Sequence, residues 1–280
     1  MKVCLAVLIT TFLSFNTFAL TNGTAAIDPQ FDSVIQITSD APDSKGDTTT
    51  AYCNATLINS HAAVTAAHCM LLAQVSGMKK ITLKLGQYKY VTRKTDGKIV
   101  RVGYWNNVNV DQVVNIEFPR TVLDKISRNG EKARIEPQED FALIWWNQEL
   151  PELANKPIAD VLTRNEFSQV TSVMTKYPIQ VVTINYMSDT STSDSRRIAN
   201  LNNISWKGYI YSQSTSRVEE GDSGAPVFAT VNNKPKILAV VKGLASTIFS
   251  NWDMYGPVTN NLCELVKTLP TFIVIPACLK

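Results

Sequence analysis

The sequence predicts an all-β protein closed by a C-terminal helix, and three observations carry that prediction. Short runs rich in Val, Ile, Thr and aromatic residues recur with turn residues between them. They do not alternate with helical stretches, as βα units would, and the clearest helical pattern lies at the very end. The chain has 280 residues, 45% hydrophobic and 18% charged, which is enough apolar material for a large core. That composition excludes a disordered, collagen-like or coiled-coil protein.

The runs read as strands are 33–37, 56–58, 63–65, 81–85, 98–104, 141–146, 179–186, 208–212 and 237–241. At that density they predict a sandwich or barrel. A helix is expected over 121–129, with Thr121 as N-cap and Gly130 following. At the end, Asn260 is placed to cap a helix over 261–269, where Leu262, Leu265 and Val266 share one face and Pro270 stops the pattern. The stretch 149–156, with Pro151, is the best candidate for a mid-chain linker. There is no internal repeat and no low-complexity tract.

Residues 1–19 read as a secretory signal peptide. Lys2 supplies a positive start, 3–13 is apolar apart from Thr10 and Thr11, and Asn16-Thr17-Phe18-Ala19 puts small residues around a cut after Ala19. A membrane anchor is the competing reading, but the apolar stretch is short for a spanning helix. No later stretch is as long without a charge, so the processed chain is expected to be soluble, outside any membrane, and secreted or periplasmic.

Removing Cys4 with that segment leaves Cys53, Cys69, Cys263 and Cys278. Four cysteines in an exported chain allow three pairings, and nearness in the chain predicts Cys53–Cys69 and Cys263–Cys278. There is no CxxC, no HExxH and only two histidines, so no metal is expected. Net charge is +3. Eight basic residues against the single acid Asp96 between Lys79 and Arg101 read as a solvated face rather than a nucleic-acid site.

Two segments carry chemistry. The first runs from Leu57 through Ala66-Ala67-His68-Cys69, and the second is Glu220-Gly221-Asp222-Ser223-Gly224-Ala225-Pro226. Asp140-Phe141-Ala142-Leu143-Ile144 lies between them. Together these resemble the Ala-Ala-His-Cys, Asp-Ile-Ala-Leu and Gly-Asp-Ser-Gly segments of the chymotrypsin/trypsin family of serine proteases, in that family's order. The resemblance spans the chain from Leu20 to the terminal helix, and the sixteen-residue spacing of Cys53 and Cys69 matches the family's histidine-loop disulfide.

The resemblance implies two packed antiparallel Greek-key β-barrels, about 30–148 and about 157–259, with a helix over about 260–269. It implies His68, Asp140 and Ser223 as base, orienting acid and nucleophile. A serine hydroxyl is a poor nucleophile until a neighbouring base takes its proton, and a carboxylate fixes the tautomer of that base. Backbone N–H groups of Gly221 and Ser223 would form the oxyanion hole. An α/β-hydrolase is excluded because no histidine follows Ser223 and Ala225 stands where its second motif glycine belongs. His61, the other histidine, reads as a turn or surface residue.

The chain also departs from the family. Arg217 lies six residues before Ser223, where the family places the base of its specificity pocket, so cleavage after Lys or Arg is not expected. Arg217 either pairs with an acidic substrate side chain or is neutralised internally by Asp253 or Glu219. A buried unpaired guanidinium is too costly to be a third reading, and the internal pair is favoured because structural ion pairs are commoner than specificity determinants. Glu219 stands where many relatives have a cysteine. Val241-Lys242-Gly243 resembles the strand that lines the pocket and pairs with substrate, and Gly256 a glycine of the pocket wall. Carboxylates of the family's calcium loop are missing over 81–91, so neither calcium nor a cofactor is expected. The stretch between His68 and Asp140 is longer than a minimal member needs, and extra loops there either select substrates or are decoration.

Leu20-Thr21-Asn22-Gly23 resembles the activated N-terminus of the family, whose ammonium pairs with the acid before the nucleophile, here Asp222. Signal removal after Ala19 would then create the active terminus directly. The alternative is a cut a few residues away, with Leu20 an ordinary linker residue. The expected protein is an exported, monomeric serine endopeptidase that acts on proteins or peptides through an acyl-enzyme and is open to protein inhibitors. The alternatives are a binding protein of the same fold with impaired catalysis, or an esterase using the same triad.

Overall fold

The computed structural model describes residues 20–42, 46–77, 80–110, 114–184, 196–246 and 251–279. The expected signal peptide, Lys79 and residues 185–186 of one expected strand lie outside the described residues.

In the first half of the chain the strands are Thr24–Ala25 (β1), Val34–Pro42 (β2), Thr48–Asn59 (β3), Ala62–Thr65 (β4), Lys80–Thr92 (β5), Ile99–Asn109 (β6), Val114–Glu117 (β7) and Ala142–Trp146 (β8). The second half adds Asp160–Val161 (β9), Ile179–Ile184 (β10), Arg196–Asn200 (β11), Ile204–Trp206 (β12) and Ile210–Ser212 (β13). Pro226–Val231 (β14), Lys234–Ser246 (β15) and Asn251–Pro257 (β16) complete the set. The helices are Ala67–Ser76 (α1), Arg120–Asn129 (α2), Arg164–Ser172 (α3) and Thr259–Leu265 (α4).

The protein is mostly β, in two curled antiparallel sheets. One has the order β6-β5-β2-β3-β4-β8-β7, and the other β1-β11-β10-β14-β15-β16-β13-β12, with β9 beside β15 as a short parallel pair. Each expected strand overlaps one of these, and four of the nine lie wholly inside it. β4 is buried along its whole length, and β8 all but so. That is why Ala62-Ala63-Val64 and Ala142-Leu143-Ile144 read as continuous apolar runs rather than alternating ones. β1 belongs to the second sheet, where Thr24 pairs with Ile198, so the N-terminal end lies across the molecule from the strands that follow it.

One core cluster fills the first sheet around Ile35, Leu57, Leu83 and Leu143, and another fills the second around Val181, Val227, Leu238 and Tyr255. Phe31 and Phe228, with ring centroids 5.4 Å apart, join an element before β2 to β14. Both expected disulfides are formed, Cys53–Cys69 and Cys263–Cys278.

The helices differ in detail from the expectation. α2 starts one residue earlier, after Pro119 rather than from a Thr121 cap. The terminal helix also starts earlier, at Thr259 with Val258 as cap, and its last turn tightens to a 3-10 turn over Val266–Thr268. α1 was not expected. Neither was α3, although Thr163 and Glu166 form a capping box at its start. The expected linker 149–156 does run between β8 and β9, but Leu153 is buried and the Lys156 ammonium bonds the Gly86 carbonyl, so it is anchored to the first sheet.

Candidate active site

His68 enters the site on the first turn of α1, directly after β4. The N-terminal N–H groups of a helix need acceptors, and Ala66, at the cap position, offers no side-chain oxygen. Asp140 supplies one from 72 residues away: its Oδ1 accepts the His68 backbone N–H at 3.0 Å. Its Oδ2 lies 2.8 Å from His68 Nδ1. The same carboxylate thus fixes both the backbone and the ring of His68. Asp140 is 0% exposed, whereas the His68 side chain is 31% exposed and reaches solvent.

A third partner reaches Asp140. Lys242 Nζ donates to Oδ2 at 3.0 Å. Burial alone would push the Asp140 carboxyl up. The charges of His68 and Lys242 and the hydrogen bonds from His68 outweigh it, and hold the group below its ordinary value. Gly256 is what lets β16 pass so close, since a Cβ there would sit 2.6 Å from the Asp140 carbonyl oxygen.

Ser223 sits in the turn between Glu219 and β14, and that turn is fixed from three sides. Asn54 of β3 donates its backbone N–H to the Ser223 carbonyl at 2.7 Å and its Nδ2 to the Gly221 carbonyl at 2.8 Å. Its Oδ1 accepts the Ile184 N–H at 2.7 Å, tying β10 to the same point. Gly224 has φ +78°, and a Cβ there would lie 2.2 Å from the Asn54 carbonyl oxygen and 2.3 Å from Thr65 Oγ1, so only glycine fits. The contact sets the nucleophile turn against the end of β4, just before His68.

Within the turn, the N–H groups of Asp222, Gly224 and Ala225 are bonded to Glu219, Val241 and Asp222 carbonyls. Those of Gly221 and Ser223 donate to no acceptor among the described residues. The Ser223 hydroxyl is not hydrogen-bonded to His68, whose Nε2 has Cys69 Sγ at 3.9 Å as its recorded neighbour. Such bonds are often long in an empty site and tighten with substrate. Cys53, His68 and Cys69 form the only cluster of metal-type ligands among the described residues, and its two sulfurs are joined to each other rather than held as thiolates.

Asp222 is fully buried and points away from the cleft. Its Oδ2 accepts the N–H groups of Leu20 and Glu219, both at 2.9 Å. Leu20 is itself 0% exposed. Thr21 and Asn22 hold the segment in place through bonds to the Arg217 and Thr215 carbonyls. Burial pushes Asp222 up to about 7, against the pull of the two backbone N–H groups, and the nearby Glu219 charge adds to the rise.

Arg217 pairs internally, with Nε 3.3 Å from Asp253 Oδ1, rather than with Glu219. Asp253 is buried, and that burial raises it to about 6 despite the guanidinium. Beside it, the Tyr255 hydroxyl lies 3.1 Å from Ser212 Oγ.

The residues expected to meet substrate also make contacts within the protein. Val241 is fully buried, and its N–H and C=O are both bonded to the nucleophile turn, so it supports that turn. Lys242 turns to Asp140, and Gly256 packs on the Asp140 backbone. Gly243 keeps partial exposure with φ +139°. His61 lies in the turn before β4, its Nδ1 3.1 Å from the Trp146 carbonyl oxygen. Asn54 was missed altogether, and nothing near it in sequence marks it.

Neither known family models nor curated proteins gave a match to this chain. The likeness to the chymotrypsin/trypsin family therefore rests on three short segments and on two curled antiparallel sheets compatible with that fold. No helix among the described residues is long and apolar enough to cross a membrane.

Proposed function

We propose that this chain is an exported serine endopeptidase of the chymotrypsin/trypsin kind. The observation that carries the reading is the fully buried Asp140 carboxylate holding both the backbone N–H and the Nδ1 of a solvent-reaching His68. With Nδ1–H fixed on Asp140, Nε2 is the basic atom. It takes the Ser223 proton as Oγ bonds to the substrate carbonyl carbon, and it returns that proton to the leaving amine. Asp140 stabilises the imidazolium between those steps. The undonated N–H groups of Gly221 and Ser223 receive the developing oxyanion. Water then repeats the sequence on the acyl-enzyme.

The Arg217–Asp253 pair argues for a pocket base without net negative charge, and so against cleavage after Lys or Arg. The N-terminal end favours activation by cleavage before Leu20. Asp222 is a buried carboxylate with no cationic partner among the described residues, and a new ammonium on Leu20 would stand at the 2.9 Å donor position. Leu20 has φ +51° in the continuous chain. For a bulky residue that backbone costs about 1–3 kcal/mol, and the constraint disappears once the preceding peptide bond is cut.

Labelling the processed protein with a serine-directed phosphonylating reagent tests the reading. The adduct is expected on Ser223 alone and is lost in Ser223→Ala. A second reading, a binding protein of this fold, is favoured by the missing hydrogen bond between Ser223 and His68. Absence of any adduct in folded, processed protein would establish that reading instead.

A further inference from the structure

A strand that keeps its register alternates its side chains between two faces, and β15 breaks its register against β16 at one place. Val241 pairs with Tyr255 and Gly243 with Met254, so Lys242 is an extra residue, bulged out between two consecutive partners on β16. A bulge bends the strand and re-aims the side chain it carries. Gly243, at φ +139°, takes up the backbone distortion that follows. The side chain so re-aimed is a lysine, and its ammonium stops 3.0 Å from Asp140 Oδ2, the same oxygen that holds His68 Nδ1 at 2.8 Å.

We propose that Lys242 is a positioning residue for the Asp140–His68 pair. Its ammonium is a second, permanent partner of the orienting oxygen, which keeps Asp140 an anion while the imidazole is still uncharged and ready to take a proton. Without it, a carboxylate at 0% exposure would have a cation beside it only after His68 had become protonated. Burying an ion without a partner is the costly state, and Lys242 removes it from the resting site.

No other charged group does this among the described residues. Glu139, in the turn before Asp140, is bound to Lys125 of α2. Asp253 of β16 is paired with Arg217, and Asp222 of the nucleophile turn faces Leu20. α1 brings only His68 to Asp140. The disulfide beside Nε2 does not titrate.

The inference rests on the proposed hydrolase reading, so its test is arranged to be read separately. Two histidines make selective ¹⁵N-histidine labelling simple, and His61, bonded to the Trp146 carbonyl, serves as the internal reference. The Nδ1–H resonance of His68 is followed against pH in the Ser223→Ala protein, alone and combined with Lys242→Met, Lys242→Gln or Lys242→Arg. Removing the charge is expected to move the resonance, because Lys242 Nζ and His68 Nδ1 share Asp140 Oδ2. Lys242→Arg should restore most of that shift, with His61 unmoved. The Lys242 side chain is partly exposed, and Gln provides a second neutral variant should Met disturb packing. In protein with intact Ser223, the acid limb of the kcat/KM profile should move in parallel.

Superimposable His68 titrations in the parent and in a folded neutral variant would overturn the proposal even if Ser223 is labelled normally. If Ser223 is never labelled but the resonance moves as stated, the hydrolase reading fails and the role of Lys242 in setting the pair stands.

Discussion

Two aspartates of this site are equally buried and end in opposite states. Asp140 has 0% exposure and is held below its ordinary value, whereas Asp222, also at 0%, is pushed up to about 7. Backbone hydrogen bonds do not separate them, since Asp140 accepts one backbone N–H group and Asp222 two. Cations do. Asp140 has the Lys242 ammonium and an imidazole within 3.0 Å, while Asp222 has no cationic side chain and the charge of Glu219 nearby. A buried carboxylate is comfortable as an anion only where a positive charge is built in beside it. The acid that orients the base is complete as folded, and the acid behind the nucleophile turn is one charge short.

The largest effect expected from breaking this contrast is at Asp140. Asp140→Asn keeps the shape but removes the anion, and kcat is expected to fall by roughly 10⁴, the magnitude typical for such a site. A fall of less than tenfold in steady-state assays would show that the carboxylate does not orient the base.

Next comes Asp222, tested through stability. Its folded value lies above the unfolded one, so the uncut chain loses stability as pH rises from the unfolded value near 3.8 to about 7. The loss attributable to this group is of order 4 kcal/mol. Asp222→Asn should remove it, and so should a terminus beginning at Leu20, whose ammonium supplies the missing charge. That ammonium in turn gains a partner, so its own value rises. Its contribution is full below the unfolded α-amino value and is lost as pH climbs through the folded one. Urea titrations at a series of pH values compare the three proteins, and identical curves for uncut and cut chains would break the contrast. A terminus one residue longer should behave like the uncut chain.

The smallest effect is at Arg217. Replacing it with Met leaves the buried Asp253 carboxylate, already near 6, without its cation. A destabilisation of about 2 kcal/mol at pH 8 is expected, less than for a fully dry pair because Arg217 is partly exposed. It should shrink when the pH is brought below 6 and Asp253 becomes protonated. A penalty that does not change with pH would mean the guanidinium acts by packing alone.

What could be read in the sequence follows the range of each interaction. Strands β4 and β8 were visible because burial on both faces leaves an unbroken apolar run. Both disulfides were visible because their cysteines are close in the chain. His68, Asp140 and Ser223 stand in three recognisable segments, and an internal partner for Arg217 was favoured because structural ion pairs are common, although the sequence left Asp253 and Glu219 both open. Asn54 was invisible because its bonds to Ile184 and Gly221 span 130 and 167 residues. Lys242 was read as a substrate contact from resemblance to the family's pocket strand, and its bond to Asp140 was invisible because a bulge, which re-aims a side chain, leaves no mark in the sequence. α1 was missed because the His68 N–H in its first turn is capped from Asp140 rather than from a neighbouring side chain.

The Cys53–Cys69 bridge has a consequence in time as well as in space. Cys53 precedes Asn54, which holds the Ser223 turn, and Cys69 follows His68. One covalent bond therefore joins the support of the nucleophile to the carrier of the base. In a reducing compartment that bond is missing, and Asn54 is tied to the chain before His68 only by the β3–β4 ladder and the Thr65–Asn54 hydrogen bond. The cell that makes this protein would then hold it latent until oxidation, with no separate inhibitor. Replacing Cys53 and Cys69 together by Ala should suppress Ser223 labelling in protein that keeps its β-sheet spectrum. The same change at Cys263 and Cys278, which tie the terminal helix to the tail, should leave labelling near normal. Equal labelling in both double variants would mean that the order of events leaves the site untouched.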